Sequence, residues 1–228
     1  MRIALSLAVL CCLPLCGGTV GWYNGDFDNN NGLANEQNTT VSQANVYDDF
    51  VVPAGGWTVV GVFSNDLISF TGITQAFWEI RSGVSVGNGG ALIDSGTSDA
   101  TQTATGRSGF GFTEYTIEVD GLNIVLAPGT YWLTVSPIGF GSGRSFVSET
   151  LGANAIGTPP GNNGNGFFNS SSFNVTFGDA ADQTSGRPDF SQGVLINGGG
   201  SVPEPGTAGL LLGSATLLWF VRRLRQSR

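Results

Sequence analysis

The residues able to do chemistry are few, and the missing ones narrow the field. The 228-residue chain has no His, and its nine basic residues are all Arg, so Lys is absent as well. Its three cysteines, Cys11, Cys12 and Cys16, all fall near the N-terminus. Beyond that segment, composition excludes Ser-His-Asp and Cys-His nucleophilic sites, Schiff-base lysines and Cys/His zinc or copper centres. No GxGxxG or Walker motif stands in a strand-to-helix context. Carboxylate chemistry survives, as in glycosidases that use a paired acid and base. The acids on offer are Asp48, Asp49, Glu79, Glu114 and Glu118. No spacing signature links them, so solvated strand edges and loop caps are their plainer role, and the chain is read as non-enzymatic.

Two further patterns point to ligands. In Asn24-Gly-Asp26-Phe-Asp28-Asn-Asn30-Asn-Gly32, the side chains of Asp26, Asp28 and Asn30 place oxygen donors at every second residue. That is how a calcium loop begins, with hard oxygens converging on a hard cation. The segment departs from the EF-hand loop, because Asn31 stands where Gly is needed and Gln37 where the bidentate Glu is needed. The alternative is an Asx-rich turn. The tryptophans Trp22, Trp57, Trp78 and Trp132 offer flat faces for stacking on sugar rings. Trp78 shares a strand face with Ala76 and Ile80, and Trp57 shares one with Val59 and Phe63, which makes both core residues. Trp132, on the face opposite Tyr131 and Leu133, is the better exposed candidate for carbohydrate stacking.

Short strands must position these groups. Residues 112–120 alternate cleanly, with Tyr115, Ile117 and Val119 on one face and Thr116, Glu118 and Asp120 on the other, the period of a half-buried strand. Similar runs cover 46–52, 57–63, 73–81, 122–126, 130–135, 173–177 and 190–196, and turn-forming residues separate them at 53–56, 87–90 and 127–129. No interior segment shows a sustained helical period with caps. Many short strands joined by Gly, Pro and Asn turns predict an all-β fold, an antiparallel β-sandwich of jelly-roll-like form. Residues 152–172 read as a low-complexity Gly/Asn loop lying outside it.

Composition fits a β-rich protein made for the outside of a cell. Charged residues are 11% of the chain, against about a quarter in an average globular protein, and Asn, Ser, Thr and Gly take over as the solvated surface. Fifteen Phe, five Trp and four Tyr argue against disorder. Between residues 19 and 202, four arginines face sixteen acids, a net charge of about −12. Nucleic acid, which needs a basic surface, is therefore not an expected partner.

The two ends read as targeting segments. Arg2, the apolar run 3–15 and the small residues Gly17 and Gly18 have the order of a secretion signal, so residues 1–18 are expected to be removed. Removal takes all three cysteines with it and leaves no disulfide framework. A lipoprotein with Cys16 acylated is the alternative, weakened by the bulky Leu15 beside it. At the other end, residues 207–221 are uncharged and mostly apolar. As a helix at ~1.5 Å per residue they reach roughly 23 Å, short of a ~30 Å hydrocarbon core. A buried core helix is the competing reading, but the segment is apolar all round and stops at an arginine cluster. Trp219 and Phe220 stand at the basic end, as interface aromatics do, and Arg222, Arg223, Arg225 and Arg228 are expected to stay in the cytoplasm. Before the span, Pro203-Glu204-Pro205 excludes helix and holds the chain extended, and the Gly-rich linker 197–202 exposes it.

Val202-Pro203-Glu204-Pro205, a Gly/Leu-rich span and a terminal Arg cluster together resemble the PEP-CTERM sorting signal. The resemblance implies processing by an exosortase-type membrane enzyme near Pro203, Glu204 and Pro205, in bacteria that secrete exopolysaccharide. It covers about 27 residues, 202–228. The runs Val46-Tyr-Asp-Asp-Phe50, Trp57, Ala76-Phe-Trp-Glu-Ile80 and Pro128-Gly-Thr-Tyr-Trp-Leu133 are also similar to the body domain of many PEP-CTERM proteins, a likeness that brings no activity with it. The expected whole is a signal peptide (1–18), a β-sandwich body (19–196), a linker (197–202) and a sorting tail with a transmembrane helix at 207–221. Its expected role is that of a surface or matrix protein associated with exopolysaccharide. The runner-up is a carbohydrate-binding module assisted by calcium, and a carboxylate glycosidase comes third.

Overall fold

The structure, a computed structural model, describes residues 18–198 apart from positions 162 and 187. Fourteen strands follow one another: β1 (Thr19–Tyr23), β2 (Phe27–Ala34), β3 (Glu36–Asn38), β4 (Ser42–Val52), β5 (Trp57–Ile68), β6 (Gln75–Ser82), β7 (Ala91–Asp99), β8 (Thr101–Gly109), β9 (Phe112–Leu126), β10 (Gly129–Pro137), β11 (Ser145–Thr150), β12 (Phe167–Ser170), β13 (Val175–Asp179) and β14 (Gln192–Ile196). A 3₁₀ turn at Ala180–Asp182 is the one helical element among the described residues. The expectation of an all-β chain with antiparallel sheets holds. No helix among the described residues is long and apolar enough to cross a membrane. The expected signal peptide (1–17 of it) and the expected span 207–221 lie outside those residues.

The strands form two seven-stranded sheets. In the first, β5 is the spine. β9 pairs along one side of it, and β8 continues beyond β9. The other side of β5 is shared, β14 taking its first half and β11 its second, with β1 and β2 added outside them. Branched and aromatic residues in Trp-Thr-Val-Val-Gly-Val-Phe suit this central place, where both neighbours are strands. Across from Phe63, Gly193 is required: a Cβ there would stand 2.2 Å from the Phe63 ring, so only glycine lets that ring lie across β14. The runs expected at 112–120 and 122–126 are one fifteen-residue strand, β9. Gly121, at φ 75°, lets it continue where its pairing with β5 slips register.

The second sheet runs β13-β12-β4-β10-β6-β7, with β3 paired to the start of β4. Both sheets contribute to one apolar core. Val59, Val62, Ile117, Val119 and Val194 come from the first, and Phe50, Ala76, Trp78, Ile80 and Leu133 from the second. Each large side chain removed from water there stabilises by roughly 1.5–3 kcal/mol. Phe50 is the hub, its ring centroid 5.5 Å from Trp22, 6.1 Å from Trp57 and 5.7 Å from Tyr131. A smaller core gathers Leu33, Ala44, Val46, Val147, Phe168 and Phe190.

Asn35 links the two cores. Its Nδ2 donates to the Val135 carbonyl (2.7 Å) and to Asp66 Oδ1 (3.0 Å), while its Oδ1 accepts from Ser136 Oγ (2.7 Å) and Val46 N (3.3 Å). Ser64 and Ser145 also donate to Asp66. Each polar group in this band thus has partners, the condition for burying it without a large penalty.

Candidate functional site

The acids expected at solvated edges are mostly inside. Asp48 and Glu114 are fully buried and Asp49 nearly so. Asp48 lies in β4, on the side where β14 and the chain before it close over the sheet. It accepts hydrogen bonds from Asn24 Nδ2 (2.7 Å), Phe190 N (2.5 Å) and Asp49 N (2.8 Å). Burial, followed by repulsion from Asp189 and Asp49, pushes its carboxyl well above the usual range. Asp49 accepts from Asn163 Nδ2 (2.7 Å), and burial raises its carboxyl too. Asp189 accepts from the backbone N–H groups of Asn163 and Gly164 (3.0 and 3.2 Å).

These acids pin a segment that the sequence presented as a loop excursion. Within 152–172, Ile156 bridges to Tyr23, the Thr158 carbonyl accepts from Val51 N, and β12 lies between β4 and β13. The Gly/Asn composition supplies backbone donors and tight turns to an acid-lined seat, something no composition rule reveals.

A second charged network lies over the outer side of the first sheet. Arg107, at the end of β8, donates through Nε to Glu114 (2.5 Å) and sits 3.0 Å from Asp26 Oδ1 through its terminal nitrogen. Glu114 also accepts from Thr105 Oγ1 (2.6 Å) and Ser148 Oγ (2.7 Å). Asp26 accepts from the Tyr23 hydroxyl (2.6 Å) and from Asn154 Nδ2 (2.7 Å). Partial burial works against the charge on Asp26, but these donors and the Arg107 guanidinium outweigh it and hold its carboxyl below the usual range. Burial and the Asp26 charge together push the Tyr23 hydroxyl above its ordinary value. A general acid or base must reach its substrate, and Glu114 and Asp48 have no exposed surface. Glu79, for its part, is held by Arg81 Nε (2.6 Å) and the Tyr47 hydroxyl (2.7 Å). Glu118 is half-buried, and burial together with the neighbouring Asp120 raises its carboxyl.

The calcium-like segment joins β1 to β2 through residues 24–26 and continues as a strand that carries an Asx turn. Asp28 and Asn30 belong to β2, in a bulge that sets residues 28–31 against Glu149 of β11. Asp28 Oδ1 accepts from the Asn30 N–H (2.8 Å), and Asn30 Nδ2 donates to Glu149 Oε2 (3.2 Å). Asp26, Asp28 and Asn30 thus each serve protein partners, and a cation would have to displace Arg107 from Asp26. Among the described residues, no group of three or more His, Cys, Asp or Glu side chains is arranged to hold a metal ion. As folded, these donors are engaged with protein partners. Calorimetric titration with calcium chloride at low ionic strength is expected to give no stoichiometric heat; heat abolished by Asp26→Ala would overturn this.

Trp132 corrects another expectation. It is 7% exposed and sits in a cluster with Tyr47, Val84, Phe167 and Phe177. Its Nε1 donates to the Asn165 carbonyl (3.0 Å), and its ring meets Phe167 edge-on at 6.3 Å. The cause is the segment after residue 163, which covers the face of β10 that alternation assigned to solvent. Trp22 and Trp78 are buried as well, their indole N–H groups donating to the Pro159 carbonyl (3.1 Å) and Ser98 Oγ (3.0 Å). The sorting residues Pro203, Glu204 and Pro205 and the tail arginines Arg222, Arg223, Arg225 and Arg228 lie outside the described residues. No family model, no curated protein and no solved structure matches this chain.

Proposed function

We propose that the chain is a non-enzymatic, exported protein of the cell surface or extracellular matrix. Its two sheets make a jelly-roll-like β-sandwich, and its C-terminal PEP-CTERM-type signal delivers it. The observation that carries this reading is the ordered tail: Pro203-Glu204-Pro205, an apolar run too short for a comfortable permanent span, and four arginines in the last seven residues. The run at 207–221 holds the precursor in the inner membrane, and an exosortase-type enzyme cuts near Pro203-Glu204-Pro205 and releases the body. The body supports a non-catalytic role, since most of its acids are buried or ion-paired. Its associate outside the cell is exopolysaccharide.

Mass spectrometry of the protein from its native host tests the sorting step. The mature form is expected to end near residues 202–205 and to start after residue 18. Ala at Pro203, Glu204 and Pro205 together is expected to trap it in the membrane fraction. Mature surface protein that still carries Arg228 would sink the proposal.

A further inference from the structure

The register of three strands builds a row of carboxamides that no role above uses. Gln37 of β3 stands opposite Gln43 of β4, and Asn45 of β4 stands opposite Asn169 of β12. Because side chains alternate along a strand, Gln43 and Asn45 share a face, and their cross-strand partners share it with them. The residues between them, Ala44, Val46 and Phe168, point the other way into the smaller core. Four amides therefore line one outer strip of the second sheet.

The β12–β13 turn makes a wall beside this strip and is clamped to it. Ser170 Oγ donates to the Gln43 carbonyl (2.6 Å), and Ser172 Oγ accepts from Gln43 N (2.9 Å). Between strip and wall lies an open groove of about 610 Å³, completed by Asn174 and Thr176. That volume falls within the ~300–1,000 Å³ typical of small-molecule sites. No residue lining the groove carries a charge, although sixteen acids lie between residues 19 and 202.

Much of the hydrogen-bonding capacity of these amides is unused. Among the described residues, Gln37 Nε2 donates to Asn45 Oδ1 (2.7 Å), which also accepts from Ser136 Oγ (2.8 Å). That fixes the Asn45 amide with its Nδ2 donors free. The side-chain amides of Gln43, Asn169 and Asn174 have no hydrogen-bond partner within the described residues. A carboxamide offers two N–H donors and an acceptor oxygen side by side, the complement of vicinal hydroxyls, which both donate and accept.

We propose that this groove binds a neutral polysaccharide. Protein partners are a poor fit, because interface centres are built on buried aromatic and aliphatic anchors and this floor is polar. Anionic polymers are a poor fit as well, since the groove holds no cation and the 19–202 region carries about −12. The site is distinct from Trp132, which is closed off behind Phe167. The inference deepens the matrix reading and rests on it for its setting, yet its test does not depend on tail processing.

The full chain, purified in mild detergent, is run by affinity electrophoresis through gels containing dextran, galactomannan, mixed-linkage β-glucan, alginate or no polymer. At least one neutral polymer is expected to retard it and alginate is not. In Q43A/N169A the dissociation constant for that polymer is expected to rise about tenfold or more with the unfolding midpoint unchanged, since both side chains lack internal partners. Retardation by alginate alone, by none of the polymers, or equally in wild type and Q43A/N169A overturns the proposal. A processed C-terminus alongside any of these would show that sorting stands and the groove does not.

Discussion

Taking the protein from pH 8 to pH 5 is expected to raise its stability, by roughly 3 kcal/mol from Asp66 alone. Asp66 is fully buried, and burial, more than anything else, lifts its carboxyl from 3.8 to about 7, with a smaller push from Glu114. Hydrogen bonds from Ser64, Asn35 and Ser145 pull the other way and lose. In the unfolded chain the same carboxyl titrates near its ordinary value, so between about pH 4 and 7 the folded state binds the proton that the unfolded state has released. Stability then falls as pH rises through that window, at ~1.36 kcal/mol per unit of displacement. Asp48 acts in the same direction. Asp26 acts oppositely, but its carboxyl lies below the usual range, so its contribution is lost only at pH values under this window. Urea unfolding between pH 5 and 8 reads the effect directly, and Asp66→Asn, which cannot ionise, is expected to flatten much of the slope. A midpoint that climbs from pH 5 to 8, or a slope untouched by Asp66→Asn, would show that Asp66 is not buried as described.

The same geometry explains what could be read in the chain beforehand. Strands announce themselves by alternating or continuous apolar runs, whether one face is wet, as in β9, or both are buried, as in β5 and β10. Thus β4, β5, β6, β9, β10 and β14 fall on expected runs, and the run at 173–177 overlaps β13. The strands β7 and β8 do not, because Ala-Leu-Ile-Asp-Ser-Gly-Thr-Ser-Asp and Thr-Gln-Thr-Ala-Thr-Gly-Arg-Ser-Gly are mostly exposed on both faces. They are strands because they lie along β6 and β9 at the sheet margins, a tertiary cause that overrides weak local preference. The segment Phe-Asp-Asn-Asn-Asn-Gly-Leu-Ala was misread for a related reason. Its Asn run resembles a turn, yet β11 pairs with both of its ends and only the middle bulges.

Site residues divide in the same way. Acids were expected outside because charge belongs in water, and that rule fails wherever backbone N–H groups and amides stand ready to receive them, as around Asp48 and Asp189. The groove had a legible signal. Gln43-Ala-Asn45-Val alternates as cleanly as 112–120 does, but its polar members are uncharged and aliphatic, so a search for catalytic, metal or aromatic groups passes over them. Asn169, which completes the row, sits in a segment whose strand character comes from pairing with β4 and β13.

Trp132 is the residue at which stacking on sugar and packing in a core lead to opposite results. Trp132→Ala is expected to cost about 3–5 kcal/mol, the usual range for emptying a buried aromatic site. The Asn165 carbonyl also loses its donor, and Phe167 its edge-on neighbour. For a domain of this size the unfolding midpoint should drop on the order of 10 °C. Measured well below that midpoint, retardation by a neutral polymer should be unchanged, because the groove-lining Gln43 and Asn169 keep their places on β4 and β12. A solvent-facing sugar platform at Trp132 demands the reverse, lost binding with stability intact. The two readouts separate because the ring that alternation assigned to water is covered by the chain after residue 163, whereas the uncharged amides line the outer face of β3, β4 and β12.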